Sequence, residues 1–77
     1  RLEDLDFGKL RAFQIVADQG NLRAAALKLR LTSSAISAKL ARLEEIVGVR
    51  LFERGPKSLT LTAAGQRLRG EIAPILA

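Results

Sequence analysis

Cysteine and histidine are both missing from this chain of 77 residues. Without cysteine there is no disulfide framework and no thiolate metal site, a composition typical of proteins from a reducing cytoplasm. Without histidine, the Ser-His nucleophile and His-ligated zinc are excluded as well. The three aromatic residues are Phe7, Phe13 and Phe52. Because all three are predicted to lie in the core, stacking against single-stranded nucleic acid is disfavoured. We therefore predict a protein that is not an enzyme and holds no metal or cofactor.

Long hydrophobic runs are also missing. No apolar stretch approaches the ~20 residues that are needed to cross a membrane. The start of the chain, Arg1-Leu2-Glu3-Asp4, does not resemble a signal peptide. We expect a cytoplasmic protein that is not bound to membranes. Nearly half of the residues (48%) are apolar and recur periodically, so the chain is expected to fold as one small domain.

The charges are distributed unevenly along the chain, whose net charge is +5. Residues 19–43 contain five basic residues and no acidic one, and residues 54–70 contain four basic residues and no acidic one. Residues 44–53 lie between these blocks and are net acidic. Basic blocks attract polyanions, of which the phosphate backbone of nucleic acids is the commonest in cells. The alternative is that these charges only keep the surface hydrated.

Apolar residues recur at helical spacing in four segments. The predicted helices cover residues 7–17, 22–29, 33–47 and the chain from residue 63 onward. The residues predicted to cap them, because their side-chain oxygens can accept from free N–H groups, are Asp6, Asn21, Thr32 and Thr62. We expect Gly20 and Gly48 to end the first and third helices. Pro74 is expected to kink or end the fourth helix, since it cannot donate a helical hydrogen bond.

Residues 51–54 and 58–61 flank a Gly55-Pro56-Lys57 turn and are predicted to form a β-hairpin. The order of helix, helix, tight turn, helix, hairpin and helix is typical of a winged helix-turn-helix, in which the third helix enters the major groove. The predicted fold is mainly α with a small β-hairpin: a three-helix core, a two-stranded wing and a C-terminal linker helix. The winged helix-turn-helix is assigned to residues 1–61, and the start of a linker or dimerisation helix to residues 62–77.

The face of the third helix opposite its apolar seam carries small residues. Ser34, Ala38, Ala41 and Glu45 lie there, flanked by Ser37 and Arg42, and the small residues occupy the first two turns. Small side chains let the helix backbone approach another surface closely, and hydroxyl groups can bond phosphates or base edges. The alternative is that the alanines are present only because they favour a helix. Together with the acid-free block, this face favours DNA binding.

Four motifs resemble the LysR-type bacterial transcriptional regulators. Gly20–Ala26 reads Gly-Asn-Leu-Arg-Ala-Ala-Ala, similar to the family's Gly-Ser-Phe-x-x-Ala-Ala, and Leu31–Ser37 is similar to its Val-Ser-Gln-Pro-Ala-Val-Ser. Arg42–Glu45 and Gly48–Arg54 follow its Arg-Leu-Glu-x-x-Leu-Gly-x-x-Leu-Phe-x-Arg. Leu61–Gly65 matches its Leu-Thr-x-Ala-Gly. The resemblance runs in order over about residues 6–70.

The resemblance implies the DNA-binding domain of a dimeric, cytoplasmic bacterial regulator. The third helix is expected in the major groove of double-stranded DNA, and the wing on the flanking backbone or minor groove. The fourth helix is expected to form a homodimer and to lead to an effector-binding domain outside this chain; a small-molecule effector is expected only there. The candidate DNA-binding residues are Arg23, Arg30, Thr32, Ser33, Ser34, Ser37, Ala38, Lys39, Arg42, Arg54 and Lys57. The candidate dimerisation residues are Leu68, Ile72, Ile75 and Leu76.

The chain departs from the family's pattern at the recognition helix. Ser33-Ser34 stands where the family has Gln-Pro, and Ala38-Lys39 where it has Arg-Gln. The family's base preference is therefore not carried over to this chain. Two alternatives stay open. Ser33 and Ser34 can be ordinary residues of a first helical turn, where backbone N–H groups have no acceptor, and Arg54 and Lys57 can be solvated surface charges without a DNA contact. A winged-helix module that binds proteins instead of DNA is the competing function.

Overall fold

The computed structural model describes residues 6–56 and 58–76. The elements are α1 (Phe7–Gln19), α2 (Leu22–Leu29), α3 (Ser33–Val47), β1 (Phe52–Arg54), β2 (Leu59–Leu61) and α4 (Ala63–Leu76). This order confirms the predicted winged helix-turn-helix. No helix within the described ranges is long and apolar enough to cross a membrane.

The four predicted caps are confirmed, because each side-chain oxygen accepts from the backbone N–H three residues further on. The bonds are Asp6 to Lys9 (2.8 Å), Asn21 to Ala24 (2.7 Å), Thr32 to Ala35 (3.0 Å) and Thr62 to Gly65 (3.0 Å). The Lys9 N–H, assisted by the Lys9 ammonium group, lowers the pKa of the Asp6 carboxyl below its ordinary value. Helix starts were therefore predictable from the capping residues alone.

The turn between α2 and α3 is built on a left-handed residue. Arg30 has φ 57°, and within the described ranges it is the only residue other than glycine with a positive φ. The Leu31 N–H donates to the Ala26 carbonyl over 3.0 Å and closes the turn. A left-handed conformation costs an L-residue roughly 1–2 kcal/mol. Gly20 and Gly48 end α1 and α3 in the same conformation, as predicted, without that cost.

The core lies between the three N-terminal helices and the start of the wing. Phe13 packs on Phe52 with ring centroids 5.3 Å apart, and both rings are buried. The apolar seam of α3 is confirmed, since Ile36, Leu40 and Leu43 are buried. The prediction for α1 was incomplete: the helix continues to Gln19, and its Ala12 and Ile15 are also buried.

The wing is an antiparallel pair in which Phe52 lies opposite Leu61 and Arg54 opposite Leu59. The Gly55 N–H donates to the Ser58 carbonyl over 2.8 Å and closes the turn. The Thr62 N–H donates to the Leu51 carbonyl over 3.0 Å and so joins α4 to the base of the wing.

The fourth helix packs on its own domain. Ile72 is buried, and Leu68 and Leu76 are half-buried against the core. An ion pair between Arg69 and Asp18 also joins α4 to α1. Of the two effects predicted for Pro74, a kink or an end, the end is wrong, since α4 continues to Leu76; the kink stays a prediction. The reason is that the φ of proline suits a helix, and the carbonyl that loses its partner belongs to Gly70, an exposed residue whose carbonyl water can bond.

Candidate nucleic-acid interface

The exposed face of α3 carries the small residues that the sequence predicted. Ser33, Ser34, Ala38 and Ala41 are exposed, and Ser37 is half-buried beside them. This row of small side chains begins in the first turn of α3, where backbone N–H groups have no helical acceptor and the helix dipole is positive. The geometry therefore allows the start of α3 to approach an anionic groove closely.

Thr32 lies at the entrance of this face and already has a structural role. Its Oγ1 accepts from the Ala35 N–H and its side chain is exposed, so the hydroxyl proton stays available to donate to another group. A hydroxyl group can accept one bond and donate another. Thr32 can thus cap α3 and donate to a phosphate oxygen at the same time.

Three cations lie near this face. Arg30 is exposed in the turn before α3, and Lys39 is half-buried on α3. Arg42 is exposed and forms an ion pair with Glu45 over 3.5 Å. Because both partners are exposed, this pair contributes little to stability and the arginine can exchange it for a phosphate.

A cleft of about 460 Å³ separates the start of α2 from the wing. It is lined by Asn21, Leu22, Arg23, Arg54, Gly55, Pro56, Ser58 and Leu59. Arg23 comes from the first basic block and Arg54 from the second, and both side chains are exposed. The fold thus brings together cations 31 positions apart in the sequence. Lys57, another candidate on the wing, lies outside the described residues.

Glu44 has a role that the sequence did not reveal. Its Oε2 accepts from the backbone N–H of Leu51 over 2.7 Å and of Phe52 over 3.3 Å. The side chain therefore joins α3 to the first residues of the wing. A glutamate beside an exposed helix face is usually a surface residue, and its backbone partners are identifiable only once the wing is folded.

A second exposed surface differs from the first in chemistry. The prediction that all three aromatic residues lie in the core is wrong for Phe7, which is 65% exposed because it stands on the outer face at the start of α1. Ile75 is 59% exposed, and with Phe7, Asp6 and Leu10 it lines a shallow groove of about 420 Å³. We call this surface the apolar groove. Of the four candidate dimerisation residues, Ile75 is the one that lies on it, while Ile72 is 4% exposed within its own domain.

The chain is similar in sequence to one family of known proteins. The model of the family described as "Bacterial regulatory helix-turn-helix protein, lysR family" matches residues 7–66. The chain is 45% identical over 67 residues to the uncharacterized HTH-type transcriptional regulator y4mQ of Sinorhizobium fredii, covering 87% of this chain and 22% of that protein. It is 40% identical over 65 residues to the HTH-type transcriptional activator AmpR of Rhodobacter capsulatus, covering 84% and 22%. The chain therefore spans about a fifth of the length of these relatives.

A solved structure gives the same result in three dimensions. The complex of the CbnR DNA-binding domain with DNA contains a chain that superposes on this one with a TM-score of 0.90 at 36% identity. The match covers 94% of this chain and 83% of that one. Similarity therefore extends over nearly the whole domain, including the turn before α3 and the wing.

Proposed function

The chain belongs to the LysR family of bacterial regulatory helix-turn-helix proteins, and from this premise we propose that it binds double-stranded DNA sequence-specifically as part of a transcriptional regulator. The observation that carries the proposal is the exposed face of α3. An exposed helix face made of serine and alanine, with Arg30, Lys39 and Arg42 around it, offers close approach and positive charge together. Those are the two properties that a major groove requires.

In this proposal α3 is the recognition helix, and its first two turns contact the bases. Ser33, Ser34 and Ser37 supply hydroxyl groups that can donate to or accept from base edges and phosphates. Ala38 supplies a methyl group, which suits an apolar contact such as the methyl of thymine. The alanine at position 38 cannot bond guanine bidentately, so the base preference differs from that of a helix with arginine at this position.

The DNA backbone is held on both sides of the recognition helix. Arg23 and Arg54 face the cleft between α2 and the wing, where a strand leaving the major groove would pass. Arg30 is exposed in the turn that precedes α3, away from that cleft's lining residues. Contacts of this kind fix the register of the protein on the duplex without reading its sequence. Lys57 on the wing is proposed to add to them.

We further propose that residues 62–77 begin a dimerisation helix and that the apolar groove contributes to a homodimer. Ile75 and Phe7 are large apolar side chains that remain exposed in the single domain. A two-fold pair would place two recognition helices about 34 Å apart, on successive major-groove faces of a palindromic site. A regulator of this kind acts in the cytoplasm, and a small-molecule effector is proposed to bind outside this chain.

Selection from a random pool of duplex oligonucleotides, followed by sequencing, tests the function. We expect enrichment of one half-site motif, and titration of the selected duplex against salt should show a steep loss of affinity. Each of Arg23, Arg30, Lys39, Arg42, Arg54 and Lys57 that neutralises a phosphate contributes about −0.9 to the slope of log K against log salt. The single strands of the selected duplex serve as the control. A flat salt response with no enriched motif would reject duplex binding and favour a protein-interaction module.

A further inference from the structure

We infer that Glu44 is a positioning residue for DNA binding, which holds the wing at a fixed place relative to the recognition helix. The inference rests on the proposed function, since it concerns how the wing and α3 reach one duplex together. It assigns a role in DNA binding to an acidic residue that does not itself approach the DNA.

The geometry of the Glu44 carboxylate supports this role. One oxygen, Oε2, accepts from two successive backbone N–H groups, those of Leu51 and Phe52, at 2.7 and 3.3 Å. Hydrogen bonds to an ionised acceptor are roughly twice as strong as those between neutral groups. Leu51 and Phe52 are both buried, so the backbone that Glu44 holds is already in the core. The side chain thus connects the last turn of α3 to the place where the wing leaves the core.

The base of the wing is also fixed from two other directions. The Leu59 N–H donates to the Gly20 carbonyl over 2.9 Å, which joins β2 to the turn after α1. The Thr62 hydroxyl donates to the Arg50 carbonyl over 2.7 Å, at the start of α4. Glu44 completes this set by supplying the connection to α3. Removing it would leave the wing attached to the domain but freer to turn relative to the recognition helix.

The position of the wing matters because its cation lies only a short distance from the Glu44 bonds. Arg54 follows Phe52 by two residues on β1 and lines the cleft with Arg23. Phosphates recur along each DNA strand at a fixed spacing of roughly 3.4 Å of helix axis. The residues of α3 and Arg54 can contact the same duplex together only if the distance between them matches that spacing. A wing that is already held at this distance before binding increases affinity.

Electrostatic repulsion and positioning predict opposite changes in DNA affinity when the Glu44 side chain is removed. A carboxylate close to DNA is repelled by the phosphates, so its removal alone would strengthen binding. If Glu44 positions the wing, its removal weakens binding in spite of the lost repulsion. The sign of the change therefore distinguishes the two.

The experiment compares four proteins on the duplex that selection yields: wild type, Glu44→Ala, Glu44→Gln and Glu45→Ala. We expect Glu44→Ala to weaken binding about tenfold, which corresponds to about 1.4 kcal/mol. Glu44→Gln keeps an oxygen acceptor and should recover most of that loss. Glu45→Ala is the matched control, because it removes the same charge from the next residue without touching the wing, and its affinity should equal or exceed that of wild type.

A double-mutant cycle with Arg54→Ala separates positioning from a general loss of stability. We expect Arg54→Ala to lower the salt slope by about 0.9 in wild type and by much less in Glu44→Ala, since the arginine is no longer held at its phosphate. Circular dichroism confirms that each variant is folded at the temperature of measurement. If Glu44→Ala does not fold, the cycle is carried out with Glu44→Asp, which keeps the charge but is one methylene too short to reach both N–H groups.

The outcomes distinguish this inference from the function on which it rests. Failure of the wild-type domain to bind any selected duplex would overturn the proposed function. A wild type that binds, with Glu44→Ala equally tight or with strictly additive effects in the cycle, would overturn the positioning role alone.

Discussion

The two exposed surfaces of this domain differ in the side chains that they leave in contact with water. The face of α3 exposes small residues such as Ser34 and Ala38 with arginines around them. The apolar groove exposes the large side chains of Phe7 and Ile75. Small size and positive charge suit an approaching polyanion, whereas large exposed apolar groups mark a surface that another protein covers. Exposure alone therefore does not define a binding surface; its chemistry indicates which class of partner it fits.

The largest expected effect comes from placing a negative charge on the α3 face. Ser37→Glu should abolish DNA binding, because the new carboxylate would lie against the phosphates and base edges. The fold should survive, since Ser37 is half-buried and lies off the buried seam. Electrophoretic mobility shift with circular dichroism measures both properties. The control is Ile75→Glu, which places the same charge on the apolar groove and should leave binding to a single half-site intact.

Equal loss of DNA affinity in Ser37→Glu and Ile75→Glu would break the distinction between the two surfaces. It would show that the added charge acts through the net charge of the domain and not through its position.

The next effect concerns base preference. Ala38→Arg introduces a side chain able to donate two bonds to guanine O6 and N7, worth roughly 1–3 kcal/mol of discrimination. Ala38 is exposed, so the longer side chain does not disturb the core. Selection and sequencing of the variant should show a shift toward guanine at one position of each half-site. If parent and variant select the same motif, position 38 does not face the bases.

The apolar groove is tested through self-association. We expect a weak dimer that is monomeric at micromolar concentration, because a contact limited to the groove and the end of α4 is small. Ile75→Glu should weaken it by a further tenfold or so, about 1.4 kcal/mol, since the charge would be buried at the contact. Sedimentation over a wide concentration range provides the measurement, with Val49→Glu, at another exposed apolar residue, as the control. A tight dimer that tolerates the charge would place the contact elsewhere.

The smallest expected effect concerns the stability of the domain and the left-handed turn between α2 and α3. Arg30→Gly should stabilise the domain by up to about 1 kcal/mol, because glycine adopts the left-handed turn without steric cost but loses more entropy on folding. DNA affinity should fall with the lost cation. Arg23→Gly is the comparison: position 23 lies in the first turn of α2, where glycine destabilises the helix by up to about 1 kcal/mol. Chemical denaturation should give opposite signs for the two variants, and a loss of stability in both would mean that the turn is not strained.

Local chemistry explains what the sequence predicted well. A helix cap is a bond between residues three positions apart, and the seam of Ile36, Leu40 and Leu43 follows from helical spacing. Neither prediction requires knowledge of the fold. These signals predict the order of the elements, and they also predict which residues lie on the exposed face of α3. The assignment of individual DNA-binding and dimerisation residues stays a prediction.

What the sequence did not reveal depends on contacts between distant residues. Glu44 bonds backbone groups seven and eight positions away, across the end of α3. The family motif includes the glutamate at position 44 and leaves position 45 variable, but it does not show which groups Glu44 bonds. Spacing likewise placed Ile72 and Ile75 together on α4, but only packing shows that one is buried and the other exposed. The cleft between Arg23 and Arg54 exists only once the wing has folded onto α2.

Gly65 has a mechanical consequence. A Cβ at this position would lie 2.2 Å from the Leu51 carbonyl oxygen, so the first turn of α4 rests directly on the base of the wing with no side chain between them. The start of α4 and the base of the wing are therefore in direct contact, and neither can shift there without the other. From Gly65 to Leu76 the helix extends roughly 17 Å at 1.5 Å per residue, so a tilt of about 10° at Gly65 would move its far end by about 3 Å. Because Ile72 and the Arg69–Asp18 ion pair hold α4 on its own domain, such a tilt would also have to break that packing.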